Sequence, residues 1–359
     1  MKKSALILFL LVTCVSPIKS FCQAPKSDIV LGAYYFDGWT GRTNHITSQL
    51  KTFTDRQPIG GWITSTPDGI SKQIDQAADA GIGFFDFDWY YNSDPSKDFG
   101  SDAKNNALKL YLKAPNKQRL KFSIMVTNNG KYSLKAEDWD NLIAFWLKLF
   151  KEDTYLKVND QPFITFYSLK DLITTFGSVA NVKVALNKFR AQAKANGFNG
   201  ISIAAVVTPS QEYANLATQS GFDIVTGYNY HGLGLNTVRS MVVPIKQMNT
   251  SENAIWKDNA NLCRLPVIPA VTLNFDKRPM DIQGKLSKRF DGYSDQSVKN
   301  AIINARKWIK NNPTSVTKEK LVVLYAWNEY GEGSWLTPSV GMGSTLLQGL
   351  KSGLTENLN

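Results

Sequence analysis

Glu329 and Glu332 stand three positions apart in the segment YAWNEYGEGSWLTP, Tyr325 to Pro338, with Asn328 beside the first and Trp327 and Trp335 on either side. Two carboxyl groups held within a few ångströms in a partly desolvated pocket repel each other once ionised, which raises the pKa of one toward the value a general acid needs. Cleavage of a glycosidic bond uses such a pair, and tryptophan faces suit the apolar faces of sugar rings. Gly331 and Gly333 loosen the turn that carries the glutamates. A glycine-rich turn whose glutamates cap the next helix would present the same residues.

A second pair of acids, Asp86 and Asp88, lies in the run GFFDFDWYY. Alternation along a strand puts both on one face and Phe85 and Phe87 on the other. Other chemistries have little to work with. His45 and His231 are the two histidines of the chain, too few for a zinc hydrolase with several His ligands and weak support for a Ser-His-Asp arrangement. There is no GxSxG elbow, no P-loop and no GxGxxG after a strand.

These residues need a scaffold that brings distant strand ends together. Runs rich in β-branched and aromatic residues alternate with helical patterns in eight successive units. The strand candidates are IVLGAYYF from Ile29, GFFDFDWYY from Gly83, LKFSIMVTN from Leu120, PFITFYS from Pro162, ISIAAVV from Ile201, DIVTGYNYH from Asp223, PVIPAVTLNF from Pro266 and LVVLYAWNE from Leu321. Near-continuous apolar character suits strands covered on both faces. Helices are predicted from Ile70, Trp139, Val182 and Val298, and Gly81, Gly197 and Gly221 mark helix-to-strand corners. The economical reading is an α/β fold, a single (β/α)8 barrel over residues 23–359 with long loops at its C-terminal face. Loops are expected from Phe36 to Pro67, over DPSKDFGSDAKN, from Gly232 to Leu265 and from Lys277 to Asp295.

In such a barrel the site is built at the C-terminal strand ends. Those ends supply Tyr34, Tyr35 and Asp37; Asp86, Asp88 and Trp89; Asn128; Tyr167; Tyr228, Tyr230 and His231; Asp276; and Trp327, Asn328 and Trp335. All are candidate sugar-binding residues beside the candidate catalytic Glu329 and Glu332. Charge belongs neither in the packed interior nor in the helix layer, so Asp86 and Asp88 are expected to point inward near the top. Capping of a loop or pairing with a basic residue would account for either acid alone. His231 suits a sugar hydroxyl or a structural bond, and Tyr228 and Tyr230 suit a subsite or the core.

The segments WNEYGEG, IDQAADAGIGFFDFDWYY and IPAVTLNFDKRP together resemble the glycoside hydrolase family 99-like group, which includes endo-acting α-mannosidases and proteins of bacterial polysaccharide loci, some described as glycosyltransferases. The resemblance runs in order over most of the chain and implies the same barrel. It implies that Glu329 is the base that helps the sugar 2-hydroxyl attack its own anomeric carbon, and that Glu332 protonates the leaving oxygen and then activates water, with retention. It implies no metal and no organic cofactor. Tyr330 and Gly331 stand where the mannosidases carry an aromatic residue and His, so the similarity is to the broader group. An assembly role in polysaccharide synthesis and a non-catalytic carbohydrate-binding barrel are the alternatives.

Composition sets the remaining bounds. With 43% apolar and 20% charged residues the chain is excluded from disordered, collagen-like and coiled-coil classes. Met1, Lys2 and Lys3 precede an apolar run from Ala5 to Val15, too short to span a bilayer, so residues 1–22 read as a secretory signal. Cleavage after Cys22 is expected over a lipid anchor at Cys22, because Phe21 is bulky for lipoprotein processing. The product would be periplasmic or extracellular, with Cys263 as its one cysteine and no internal disulfide. The 41 basic residues outnumber 30 acidic ones, but they are scattered over helix faces, with no nucleic-acid motif. The expected partner is a carbohydrate, and an acidic one would suit the charge.

Overall fold

The computed structural model describes residues 27–282 and 285–358. The expected signal segment 1–22, with Cys14 and Cys22, lies outside the described residues. Eight parallel strands form the barrel: β1 (Val30–Tyr35), β2 (Phe84–Trp89), β3 (Lys121–Val126), β4 (Gln161–Phe166), β5 (Ser202–Val206), β6 (Ile224–Thr226), β7 (Ala270–Thr272) and β8 (Leu321–Tyr325). They lie in the order β6-β5-β4-β3-β2-β1-β8-β7. The two ends meet at a parallel bridge between Val225 and Val267, where Val225 N donates to Pro266 O (3.0 Å) and Ile268 N donates to Val225 O (2.9 Å). Every predicted strand candidate therefore supplies a barrel strand.

A helix follows each strand: α1 (Pro67–Ala80), α2 (Asn106–Lys113), α3 (Trp139–Leu149), α4 (Val179–Ala195), α5 (Gln211–Ser220), α6 (Lys246–Cys263), α7 (Asp295–Asn311) and α8 (Thr345–Thr355). The Thr66 side chain caps the start of α1, accepting from Gly69 N, and Gly81 closes it at φ 98°, a conformation that costs glycine little. Aromatic rings fill the layer between sheet and helices. Trp146 of α3 packs against Trp89 of β2, Phe166 of β4 and Phe189 of α4 at centroid distances of 5.5 to 5.9 Å.

The expected loop from Gly232 to Leu265 is instead mostly helical. In α6 the buried positions Met248, Glu252, Ile255, Trp256, Asn259 and Cys263 recur at helical spacing. Glu252 and Asn259 are polar, which hides the apolar stripe from a hydrophobicity reading. Glu252 Oε1 accepts from Thr272 N (2.5 Å), so this buried acid is spent holding β7. Two other stretches expected as loops pair with each other, Val242–Pro244 running parallel to Arg289–Asp291. Cys263 is buried and free. Among the described residues no helix is long and apolar enough to cross a membrane.

Candidate active site

Strand alternation turns Asp86 and Asp88 to the barrel axis and sends Phe87 out against Tyr111 of α2, ring centroids 5.5 Å apart. Asp86 accepts from Ser123 Oγ (2.9 Å) and Thr165 Oγ1 (3.4 Å), yet burial pushes its pKa up to about 7. Asp88 sits one inward position nearer the strand end. Its Oδ2 lies 3.0 Å from the Tyr228 phenol, while its Oδ1 is buried without a partner among the described residues.

The same Tyr228 oxygen lies 3.0 Å from Glu329 Oε1. A phenol carries one hydrogen, so it can donate to one carboxylate only. The other contact needs a carboxyl proton. Burial, and then the charge of Glu332, push the Glu329 pKa well above its usual range; Asp88 adds to this, and the Tyr228 bond opposes it. Burial likewise raises Glu332, opposed by its bond from the Tyr325 hydroxyl and by Lys277. Two arrangements satisfy every contact: the Asp88 carboxyl donates to Tyr228 and Tyr228 to an ionised Glu329, or the Glu329 carboxyl donates to Tyr228 and Tyr228 to an ionised Asp88. The first leaves Glu329 able to act as a base.

The turn between the glutamates is fixed from outside. Trp39, from the long loop after β1, donates its Nε1 hydrogen to Asn328 O (2.8 Å) and packs on Tyr330 (centroids 4.8 Å). Asn328 Oδ1 accepts from Phe36 N (2.9 Å), leaving Asn328 Nδ2 buried and unpartnered among the described residues. Arg56 donates from Nη1 to Asp276 O (3.0 Å) and Tyr330 O (3.1 Å) and pairs with the Asp276 carboxylate at 2.7 Å. Gly333 stands at φ 75°, where a Cβ would come within 2.9 Å of Asp276 O.

Two cavities flank this carboxyl cluster. One of about 380 Å³ is lined by Glu329, Glu332, Phe36, Trp39, His45, Pro279 and Met280, among others. The second, of about 310 Å³, is lined by Asp88, Tyr90, Thr127, Asn129, Lys131, Tyr132, Tyr167 and Tyr228. Carboxyl groups between two clefts can serve a chain of sugars bound on both sides.

Of the residues expected at the site, Asp88, Tyr167, Tyr228, Glu329 and Glu332 converge on these cavities. Tyr34 turns inward beneath them, its hydroxyl donating to Gly227 O (2.7 Å) and its ring 5.0 Å from that of Tyr228. Several others point elsewhere. Tyr35 packs on Phe85 and Phe87, Trp89 packs on α3, and Trp327 donates to Gln73 Oε1 of α1 (2.7 Å), all in the helix layer. Tyr230 faces Asn259 of α6, whose amide donates to it (3.2 Å). Tyr35 and Trp89 are the outward partners in their strands' alternation, whereas Tyr230 and Trp327 lie beyond the ends of β6 and β8, where alternation no longer holds. Asp37 accepts from Ala107 N (2.5 Å) at the start of α2 and from Ser65 (3.0 Å); burial pushes its pKa up to about 7.

Asn128 ties to the backbone of Ser168, and Asp276 is taken up by Arg56 and Arg278. His231 stacks on Phe275 (centroids 3.6 Å) with Nδ1 2.5 Å from Asn229 Oδ1, and burial pushes its pKa down to about 4. Trp335 lies buried against Tyr293 and under Arg56. Sequence reasoning missed Tyr325, His45, Trp39, Arg56 and Lys104. The first reads as one more apolar strand residue, and the rest sit in loops without periodicity. Among the described residues no group of three or more His, Cys, Asp or Glu is arranged to hold a metal ion.

A parallel eight-stranded barrel with paired glutamates at the end of its last strand is a glycosidase-type TIM barrel. The model of the family described as glycosyltransferase WbsX matches residues 121–350, more than half of the chain, and the protein belongs to that family, within the family 99-like group. A solved structure described as a glycoside hydrolase-like protein superposes with a TM-score of 0.67 at 15% identity, covering 96% of this chain and 98% of that one. The family 99 endo-α-mannosidase from Bacteroides thetaiotaomicron gives 0.60 at 13% identity, covering 91% and 96%. An exo-β-1,4-mannosidase from Opitutaceae bacterium strain TAV5 gives 0.53 at 12% identity, covering 91% of this chain and 59% of that one. What is shared at these identities is the fold. No curated protein matches the sequence.

Proposed function

We propose that the protein is an exported glycoside hydrolase, one barrel domain from residue 23 onward, that cleaves an α-linked polysaccharide or glycan with retention. The observation that carries this reading is the convergence of Glu329 and Glu332 in one cleft, each bonded by its own tyrosine and each raised in pKa by burial. Glu329 takes the proton of the sugar 2-hydroxyl as that oxygen closes on the anomeric carbon. Glu332 protonates the leaving glycosidic oxygen. Water then opens the anhydro sugar with Glu332 as base, and the proton held by Glu329 returns to the 2-oxygen. The route uses neither metal nor organic cofactor. Asp88 Oδ1 and Asn328 Nδ2, buried without partners among the described residues, suit sugar hydroxyls.

The family's description favours a second reading, transfer of a sugar from an activated donor. A signal segment weighs against it, because sugar nucleotides are held in the cytoplasm. The test incubates the mature protein and a Glu332→Gln variant with α-mannans and other bacterial, fungal and algal polysaccharides, and in parallel with sugar-nucleotide donors. Sugar released by the wild type alone supports hydrolysis through Glu332. Equal release by both removes Glu332 as the acid, and product made only from a sugar nucleotide replaces hydrolysis with transfer. Glycan binding without turnover by either protein makes it a binding barrel.

A further inference from the structure

Lys104 is 9% exposed and comes from the stretch after β2. Its ammonium is held over the ring of Tyr90 at 3.1 Å and over that of Tyr132 at 3.9 Å, both rings lining the second cavity. The placement is built in. Asn105, the next residue, accepts from Tyr90 N (2.9 Å) and donates to Tyr90 O (2.7 Å) and Gly100 O (3.2 Å), which locks this stretch to the end of β2. Lys131 lines the same cavity, its ammonium 5.0 Å from the Tyr132 ring.

Among the described residues neither ammonium has an ion-pair partner. Asp102, the acid nearest in sequence, uses its Oδ1 to accept from Lys104 N (2.9 Å). Asp88 and Glu329 also act on Lys104, and each lowers its energy in the charged form. Asp88 is held toward its protonated state by burial, so the cluster carries less negative charge than its count of acids suggests. Burial, and to a smaller extent the charge of Lys131, bring the Lys104 pKa down to about 8, against the opposing charges of Asp102, Asp88 and Glu329. A desolvated ammonium without a bonded acid is costly, and an anion brought to it and to Lys131 would relieve that cost.

We propose that the cavity lined by Asp88, Tyr90, Lys131, Tyr132 and Tyr167 is a subsite for a sugar bearing an anionic substituent, a carboxylate or a sulfate, read by Lys131 in its wall and by Lys104, whose ammonium lies over two of the lining rings. The tyrosine rings take the sugar's apolar face and the ammonium groups its charge. This deepens the glycosidase reading and rests on it for the statement that the ligand is a glycan.

The test measures binding by the full mature chain carrying Glu332→Gln, which keeps the lysines and removes turnover. The probes are polygalacturonate beside its methyl ester, and a sulfated fucan beside its desulfated form. At least one charged glycan is expected to bind, and to lose about tenfold or more in affinity when its charge is removed, when salt is raised, or when Lys104→Met is introduced. The carboxylate and sulfate series tell which substituent is read. Lys131→Gln, at an exposed position, provides a second variant whose folding is not at issue and is expected to weaken the same probe.

Equal binding of charged and neutral forms, an unchanged affinity in both lysine variants, or no binding to either charged probe overturns the subsite. Release of sugar from a neutral glycan by wild type, undiminished by Lys104→Met, overturns it while leaving the hydrolase intact. Lysine-dependent binding of a charged glycan that the wild type never cleaves overturns the hydrolase and leaves the subsite.

Discussion

The phenolic oxygen of Tyr228 stands 3.0 Å from Oε1 of Glu329, with Asp88 Oδ2 at the same distance on its other side. Tyr228 comes from the end of β6, Asp88 from β2 and Glu329 from the turn after β8, so the bond joins opposite walls of the barrel. It also sets a proton count. With one phenolic hydrogen between two carboxyl groups, ionisation of both would leave one contact as a repulsion between oxygens. One of the two carboxyl groups therefore carries a proton, and when it is Asp88 the Tyr228 hydrogen is directed at Glu329.

Replacing Tyr228 with Phe removes the hydrogen bond that lowers the Glu329 pKa and leaves the effects that raise it. A base works when ionised, so the rising limb of kcat/KM against pH is expected to move to higher pH. Activity at neutral pH should fall about tenfold or more, with part of it regained as pH rises until Glu332, the acid, loses its proton. A profile that drops uniformly at every pH would mean that Tyr228 only shapes the cavity.

Glu329→Gln and Glu332→Gln are each expected to lower turnover about a hundred- to ten-thousandfold. Both carboxyl groups are held at a cost, because burial and mutual repulsion oppose their charge. An uncharged amide of the same size relieves that, so thermal melting at neutral pH should stay level or rise in either variant. A large fall in melting temperature would show that the glutamates hold the turn together.

The barrel was legible because each of its strands is apolar on both faces and bounded by turn residues, as IVLGAYYF and LVVLYAWNE show. The inward pair Asp86 and Asp88 followed from alternation alone. Tyr35 and Trp89 stand at strand ends with site residues but face the helices, as alternation requires, and Trp327 lies beyond β8, where alternation gives no assignment; the aromatic character of the three does not say which face is which. Contacts made by loops were out of reach: nothing in DPSKDFGSDAKN distinguishes Lys104 from its polar neighbours, and His45 and Trp39 act through a turn without periodicity. In α6 the polar Glu252 and Asn259 occupy core positions because each finds a partner, which periodicity cannot foresee.

Asp86 couples the core to pH. Its folded pKa is raised to about 7, from a carboxylate's usual value near 3.8, by burial. The folded state thus holds a proton that the unfolded chain releases between those values. Asp86 contributes most stability below the lower value, and that contribution is lost as pH rises through the upper one. Asp86→Asn should flatten the fall in melting temperature over this window, while Asp37, raised to about 7 in the same way, leaves part of the slope in place. An unchanged slope in Asp86→Asn would mean that Asp86 does not retain its proton in the folded protein.

Arg56 is 2% exposed and reaches three acceptors, the Asp276 carboxylate, Asp276 O and Tyr330 O. Removing one member of a buried pair strands the other, at about 3–5 kcal/mol. Arg278 still holds Asp276 at 2.6 Å from the more exposed side, so Arg56→Met should fall at the lower end of that range. Arg56 also ties the backbone of Tyr330, between the two glutamates, to the end of β7. Loss of that tie should lower kcat beyond what the fraction of folded protein explains. Denaturant unfolding of Arg56→Met, Asp276→Asn and the double variant gives the coupling, expected to be well short of additive because the second change removes the charge that the first leaves stranded. Strict additivity would mean that the two side chains act independently, and that the turn is held by Trp39 and its ring contact with Tyr330 alone.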